Sequence, residues 1–332
     1  MVKLKLQGAL AHGHGRFFYL APPDFPSGGA NLMLSTMLHT LRQLYARLGR
    51  LPPTLALQYD GGSENANKFV LGVLCLLVTM GVFDMILVSR LPVGHTHEDI
   101  DGCFGSIWKR IRGRSLQTLR DVEVNVQESF HDSLETKVFS DYAVFDYKEW
   151  IQPCLPKAFG RCFKGDDTQH RFKISRDTRG NARLFWRRFA SDKVVEVLPI
   201  ESKCRRVCSS WFPDADGLLY LTQRPRSMSP KKLPLNIAVY GDQQAFLRKV
   251  HAPFRAAWSE FFSGRELLDN YDHKCPIFSC VDCFTGANSR CELVADGDCS
   301  MDDIDEVCAK DPVCSKKRPG TRRMMKKRRL RI

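Results

Sequence analysis

The densest polar cluster in the chain is Gly94-His95-Thr96-His97-Glu98-Asp99-Ile100-Asp101-Gly102-Cys103-Phe104. It sets two histidines and three acids within seven positions, soon after the apolar run Met85–Val88. A second acid of interest, Asp60, closes the run Thr54-Leu55-Ala56-Leu57-Gln58-Tyr59 and precedes Gly61-Gly62. Open α/β sheets bind ligands outside the carboxyl ends of their strands, where both groups fall. Carboxylates on adjacent elements can hold a hard divalent cation through oxygen. A third would complete a two-metal clamp for in-line phosphoryl transfer. The cluster also has a local reading: Thr96 with Asp99 forms a capping box, so a helix is expected to start there. Ile100, Phe104, Ile107, Trp108 and Ile111 then make its apolar stripe. At about 100° per residue, His97 and Asp101 fall on the shoulder of that stripe, Glu98 lies further round and Asp99 points away. Asp101 is therefore the acid expected to face inward.

These residues need a scaffold, and the sequence supplies one. Lys3–Leu6 alternates and Arg16–Leu20 is apolar, so two strands flank the glycine-punctuated turn His12-Gly13-His14-Gly15. His12 and His14 are read there as turn residues. From Asn31 to Leu48 apolar residues recur at steps of three and four until Gly49, which predicts an amphipathic helix. Thr54–Tyr59 is a short strand, Asn65–Val82 a helix apolar nearly all round, and Met85–Val88 another buried strand. The order strand, strand, helix, strand, helix, strand, helix implies helices packed on both faces of a mixed sheet. Further on, Phe172–Ser175 and Ala182–Trp186 flank Asp177-Thr178-Arg179-Gly180-Asn181, a hairpin signal. Val194–Leu198 and Leu218–Leu221 add strands.

The two boxes, Tyr59-Asp60-Gly61-Gly62-Ser63-Glu64-Asn65-Ala66-Asn67-Lys68 and Leu91 to Asp101 with Phe104, resemble an uncharacterised family of transposon-derived proteins. The resemblance covers residues 1–135 best. It implies the ribonuclease-H-like fold of transposases and retroviral integrases. It also implies a metal-dependent DNA strand-cleavage or strand-transfer reaction with Mg²⁺ or Mn²⁺. On it, Asp60 matches the second catalytic acid and Asp101 the third, with Glu98 competing for that place. His95 and His97 become proton-handling or ligand-orienting groups. The first acid belongs on a strand that pairs ahead of Lys3. The sequence holds no such strand, and Asp24 lies on the wrong loop to replace it.

Two other chemistries compete. His95-Thr96-His97-Glu98-Asp99 matches the start of the His-x-His-x-Asp-His box of metallo-β-lactamase-like zinc hydrolases, but the next residue is Ile100. A domesticated nuclear protein that binds DNA or protein without catalysis is the alternative from a different class. Seven of the thirteen cysteines crowd into residues 275–314, where Cys280-Val281-Asp282-Cys283 has ligand-pair spacing and Zn²⁺ is an option. The formal charge is +13, yet residues 316–332 hold ten Lys/Arg and no acid, which leaves +3 for the rest. Such a tail reads as nuclear localisation or phosphate-backbone contact. The longest apolar run, Phe69–Phe83, has 15 residues and is short for a bilayer. No apolar leader opens the chain.

The sequence thus predicts a ribonuclease-H-like α/β core at 1–136 that lacks its first strand, and a β-rich accessory region at 137–250. A helix with a Cys-rich acidic segment follows at 251–315, then a basic tail at 316–332. The expected partner is DNA, with a second copy of the chain as a further option and no membrane. The expected location is the nucleus.

Overall fold

A computed structural model describes residues 3–26, 28–59, 67–91, 99–155, 170–187, 218–219, 225, 230–270 and 330–331. Among these the chain forms two mixed sheets flanked by helices. The first begins with β1 (Lys3–Ala11) and β2 (Gly15–Ala21), an antiparallel hairpin in register from Lys5↔Ala21 to Ala11↔Gly15. The His14 amide closes the turn on the Ala11 carbonyl at 2.8 Å. Every residue of β2 is buried, because both of its faces are covered. Phe18 and Leu20 point into one apolar cluster, Phe17, Tyr19 and Ala21 into another.

The long helix α1 (Ala30–Leu48) runs back across both sheets. Leu34, Leu38 and Leu41 enter the core around the second sheet, whereas Leu32 packs with Phe17 and Tyr19 of the first. Gly49 ends the helix in the left-handed region, φ 72°, with its N–H on the Tyr45 carbonyl, a conformation that costs glycine little. The amino end of α1 lies by the start of β1, since Leu32 shares a cavity lining with Lys3, Lys5 and Ala21. Its carboxyl end lies by the β1–β2 turn, where Arg47 donates to the His14 carbonyl.

β3 (Thr54–Tyr59) and β4 (Met85–Arg90) pair in parallel through α2 (Lys68–Thr79). The Asn67 side chain caps α2 by accepting from the Phe69 and Val70 amides. The helix is buried continuously from Val70 to Val78, as its all-round apolar sequence predicts. α3 (Asp99–Ile111) and α4 (Leu119–Gln127) cover the other face of the hairpin. β5 (Thr136–Phe139) joins β2 in parallel, and α5 (Tyr147–Ile151) packs on α2.

The hairpin expected at Asp177–Asn181 is present between β6 (Arg171–Arg176) and β7 (Ala182–Arg187). Asp177 Oδ1 accepts from the Arg179 and Asn181 amides, and Gly180 takes φ 80°. β6 pairs antiparallel with β4, so these strands extend the β3–β4 sheet. β8 (Leu218–Leu219) sits at its far edge, giving the order β3-β4-β6-β7-β8. α6 (Gln243–Lys249) and α7 (Arg255–Asn270) pack over α3 and α4. β9 (Leu330–Arg331) pairs antiparallel with β1 at Lys3 and Leu4, giving the order β5-β2-β1-β9. The expected strand Val194–Leu198 and the Cys-rich segment lie outside the described residues.

Candidate functional site

The parallel pair sets where the chemistry can be. Tyr59 is in register with Arg90, and the Leu91 amide donates to the Tyr59 carbonyl at 3.1 Å. The chain therefore leaves β3 and β4 side by side, and Asp60 is the first residue past β3. Arg90 is buried at that exit and His170 closes it. The Arg90 amide donates to the His170 carbonyl at 2.7 Å, and His170 Nδ1 lies 3.1 Å from the Arg90 carbonyl. Burial pushes the Tyr59 phenol up and, for Arg90, lowers the guanidinium from its usual value. Asp60, His95, His97 and Glu98 themselves lie outside the described residues.

Asp101 departs from expectation: in the described part of α3, which begins at Asp99, it is exposed instead of facing inward. The reason is a rotation of the buried seam. Cys103, Ile107 and Ile111 are the buried residues, while Trp108 is only half-buried. Taking about 100° per residue, that seam turns Asp101 about 120° away from the sheet and brings Asp99 to the shoulder. Asp99 Oδ2 accordingly lies 4.0 Å from His12 Nδ1, on the β1–β2 turn. Gly8 makes the approach possible. A Cβ there would stand 3.0 Å from the Phe104 ring and 3.1 Å from Ile100 Cδ1.

Beneath that helix end, Arg16 grips Asp132 with both terminal nitrogens, one of them at 2.8 Å, and lies 4.5 Å over the Phe130 ring. Its hydrogen bond holds the Asp132 carboxyl below the usual carboxylate range. Burial pushes the Cys103 thiol up, against the opposing pull of Arg16. This thiol stays protonated near neutral pH, so the cluster is a clamp and carries no activated nucleophile.

Asp99 thus lies by the β1–β2 turn, and Tyr59 ends β3 beside Arg90. Among the described residues no group of three or more His, Cys, Asp or Glu could hold a metal ion. No described helix is long and apolar enough to cross a membrane.

Sequence reasoning missed Arg16, Arg90 and His12, whose partners are distant in the chain. It also missed what Asp24 does. Asp24 is fully buried, accepts from the Tyr240 hydroxyl at 2.7 Å and lies 3.5 Å from Arg265, itself 1% exposed. This pair ties α7 to the loop after β2. The hairpin, the parallel pair and the flanking helices define a mixed α/β protein. The chain belongs to the family described as Domain of unknown function (DUF7869), whose model matches residues 1–192. Neither a curated protein nor a solved structure matches it.

Proposed function

We propose that this chain carries a transposase-derived, ribonuclease-H-like domain for metal-dependent DNA strand cleavage or transfer. One observation carries the reading: β3 and β4 run parallel with adjoining exits, Asp60 follows the first exit, and the acid-rich start of α3 follows the second. The order of hairpin, helix, strand, helix, strand and helix agrees with it. Asp60 would hold Mg²⁺ or Mn²⁺ with Asp101 or Glu98, both oxygen donors of the right hardness. A metal bound there supplies polarisation of the phosphodiester. The reading requires one more strand, bearing the third acid, on the outer edge of β1. Among the described residues that edge pairs only at Lys3 and Leu4. His95 and His97 would orient ligands or move protons, and the basic tail would direct the protein to the nucleus.

A second reading rests on the exposure of Asp101 at the start of α3. A domesticated nuclear binding protein retains the fold and needs no inward-facing acid there. Calorimetric titration of the full chain with Mn²⁺ separates the two. The catalytic reading expects one binding event that Asp60→Asn and Asp101→Asn each abolish. Absence of binding to the unmutated chain would refute it and leave the binding protein.

A further inference from the structure

We propose that the carboxyl end of α3 and the turn into α4 form a docking surface for the phosphate backbone of duplex DNA. The segment 102–120 contains Lys109, Arg110, Arg112, Arg114 and Arg120 and no acid. Two of these charges are already answered. Arg110 pairs with Glu128, and Arg120 with Glu123 at 3.1 Å. Lys109 and Arg112 are exposed and have no acidic partner among the described residues, and Arg114 donates to the neutral Asn125 Oδ1 at 2.6 Å. The Arg112 amide donates to the Trp108 carbonyl at 3.0 Å, so Arg112, the residue after α3, continues its helical spacing and shares a face with Lys109 three positions before it. The helix dipole accounts for basic residues in the last turn, but Arg112 and Arg114 lie past it.

The turn that presents these charges is held from three sides. Trp258 Nε1 of α7 donates to the Gln117 carbonyl at 3.0 Å. Asp121 Oδ2 accepts from the Gln117 and Thr118 amides at 2.9 and 2.8 Å. Thr118 Oγ1 accepts from the Asp121 amide in return. Asp121, the next acid along the chain, is thereby engaged with backbone amides. The Arg114 amide also donates to the Ile111 carbonyl at 3.1 Å, and a backbone held in this way lowers the ordering cost of binding a regular polyanion. The surface deepens the strand-cleavage reading, and rests on it for the choice of DNA. Asp101 and Arg112 are eleven residues apart on one helical path, about 16 Å at 1.5 Å per residue. That spans about five base pairs of a duplex.

The test is the salt dependence of duplex binding. Anisotropy of a labelled 20-base-pair duplex, of arbitrary sequence, would be followed from 0.05 to 0.2 M salt. The full chain would be compared with Lys109→Ala/Arg112→Ala. Loss of two phosphate contacts shrinks the affinity gained on lowering salt across that range by about 12-fold. Both side chains are exposed, so an unchanged thermal midpoint is expected and would confirm that the fold is intact. The same pair would be tested with Lys326, Lys327, Arg328 and Arg329 changed to Ala, where the decrement must persist. An unaltered salt slope in the double variant overturns the proposal. So does duplex RNA that binds more tightly and loses as much. If the slope falls while Mn²⁺ binding is absent, the surface stands and the catalytic reading fails. If Mn²⁺ binds and the slope is unaltered, the surface fails alone.

Discussion

β2 and β3 are both short, apolar and flanked by helices, yet they sit in their sheets differently. β2 is buried at every position, with Phe17 and Tyr19 on one side and Phe18 and Leu20 on the other. β3 alternates, and its Ala56 and Gln58 are exposed. The difference follows from what covers each face. α1 lies over one face of β2 while α3 and α4 seal the other. β3 shares α1 and α2 on one face, but the helix that follows β4 lies over the hairpin instead. The helix that the resemblance assigns to the site thus serves as a lid for the first sheet, and β3 keeps an open face at Ala56 and Gln58.

Truncation should expose this contrast most strongly. Phe18 is fully buried, stacked 5.7 Å from Phe130 and edge-on to Phe104 at 6.0 Å. Phe18→Ala is expected to cost about 3–5 kcal/mol, the range for large aromatics in a packed core. Leu57, half-buried on β3, should cost less than about 2 kcal/mol on truncation to Ala. Urea unfolding of both variants measures the difference, and equal losses would erase the distinction between the sheets.

Acid should act on the first sheet too. His39 of α1 packs edge-on against Tyr19 and Phe139. Its Nδ1 lies 3.1 Å from the Tyr19 hydroxyl. Burial lowers its pKa to about 4, from an ordinary value near 6.5. Between those values the unfolded chain binds the proton that the folded chain refuses. Stability is therefore full above pH 6.5 and falls as pH drops towards 4, by at most about 3 kcal/mol. The His39→Gln variant should lose that part of the pH slope. A slope that survives the substitution would show that another group carries it.

How far these features could be read beforehand follows from their range along the chain. α1 was legible to within a residue because its apolar steps, its Gly49 stop and its amphipathic face are all local. The Asp177–Asn181 hairpin was legible from turn chemistry alone. The seam of α3 was not. Ile100, Phe104 and Trp108 offered one stripe and Cys103, Ile107 and Ile111 another, about 60° apart. Only the sheet beneath chooses between them, and Gly8, which admits Ile100 and Phe104 at close range, belongs to a distant strand. The Asp24–Arg265 pair and the Arg16–Asp132 clamp join residues far apart in the chain and leave no periodic trace. Asp60 could be placed at a strand end from sequence, and β3 does end at Tyr59.

The second sheet has its own weak points, smaller in size and different in kind. A Cβ at Gly72 of α2 would stand 2.7 Å from Leu155 Cδ2 and 3.2 Å from Ile151 Cγ1. Gly72→Ala gains helix propensity, about 1 kcal/mol, but forces α5 and the turn after it outward. Overpacking of this kind costs about 1–3 kcal/mol, so a small net loss of stability is expected. Leu155→Ala should relieve it, and a non-additive double variant would locate the clash in that pair. The gentlest change is Asn67→Ala, which removes the bonds from the Phe69 and Val70 amides at 3.0 and 3.1 Å. Loss of an N-cap costs about 1 kcal/mol. Hydrogen exchange should find the first turn of α2 opening more readily, while β1 and β2 keep their protection. If the hairpin amides exchanged faster as well, α2 and the first sheet would be one cooperative unit, and α1 the element that joins them.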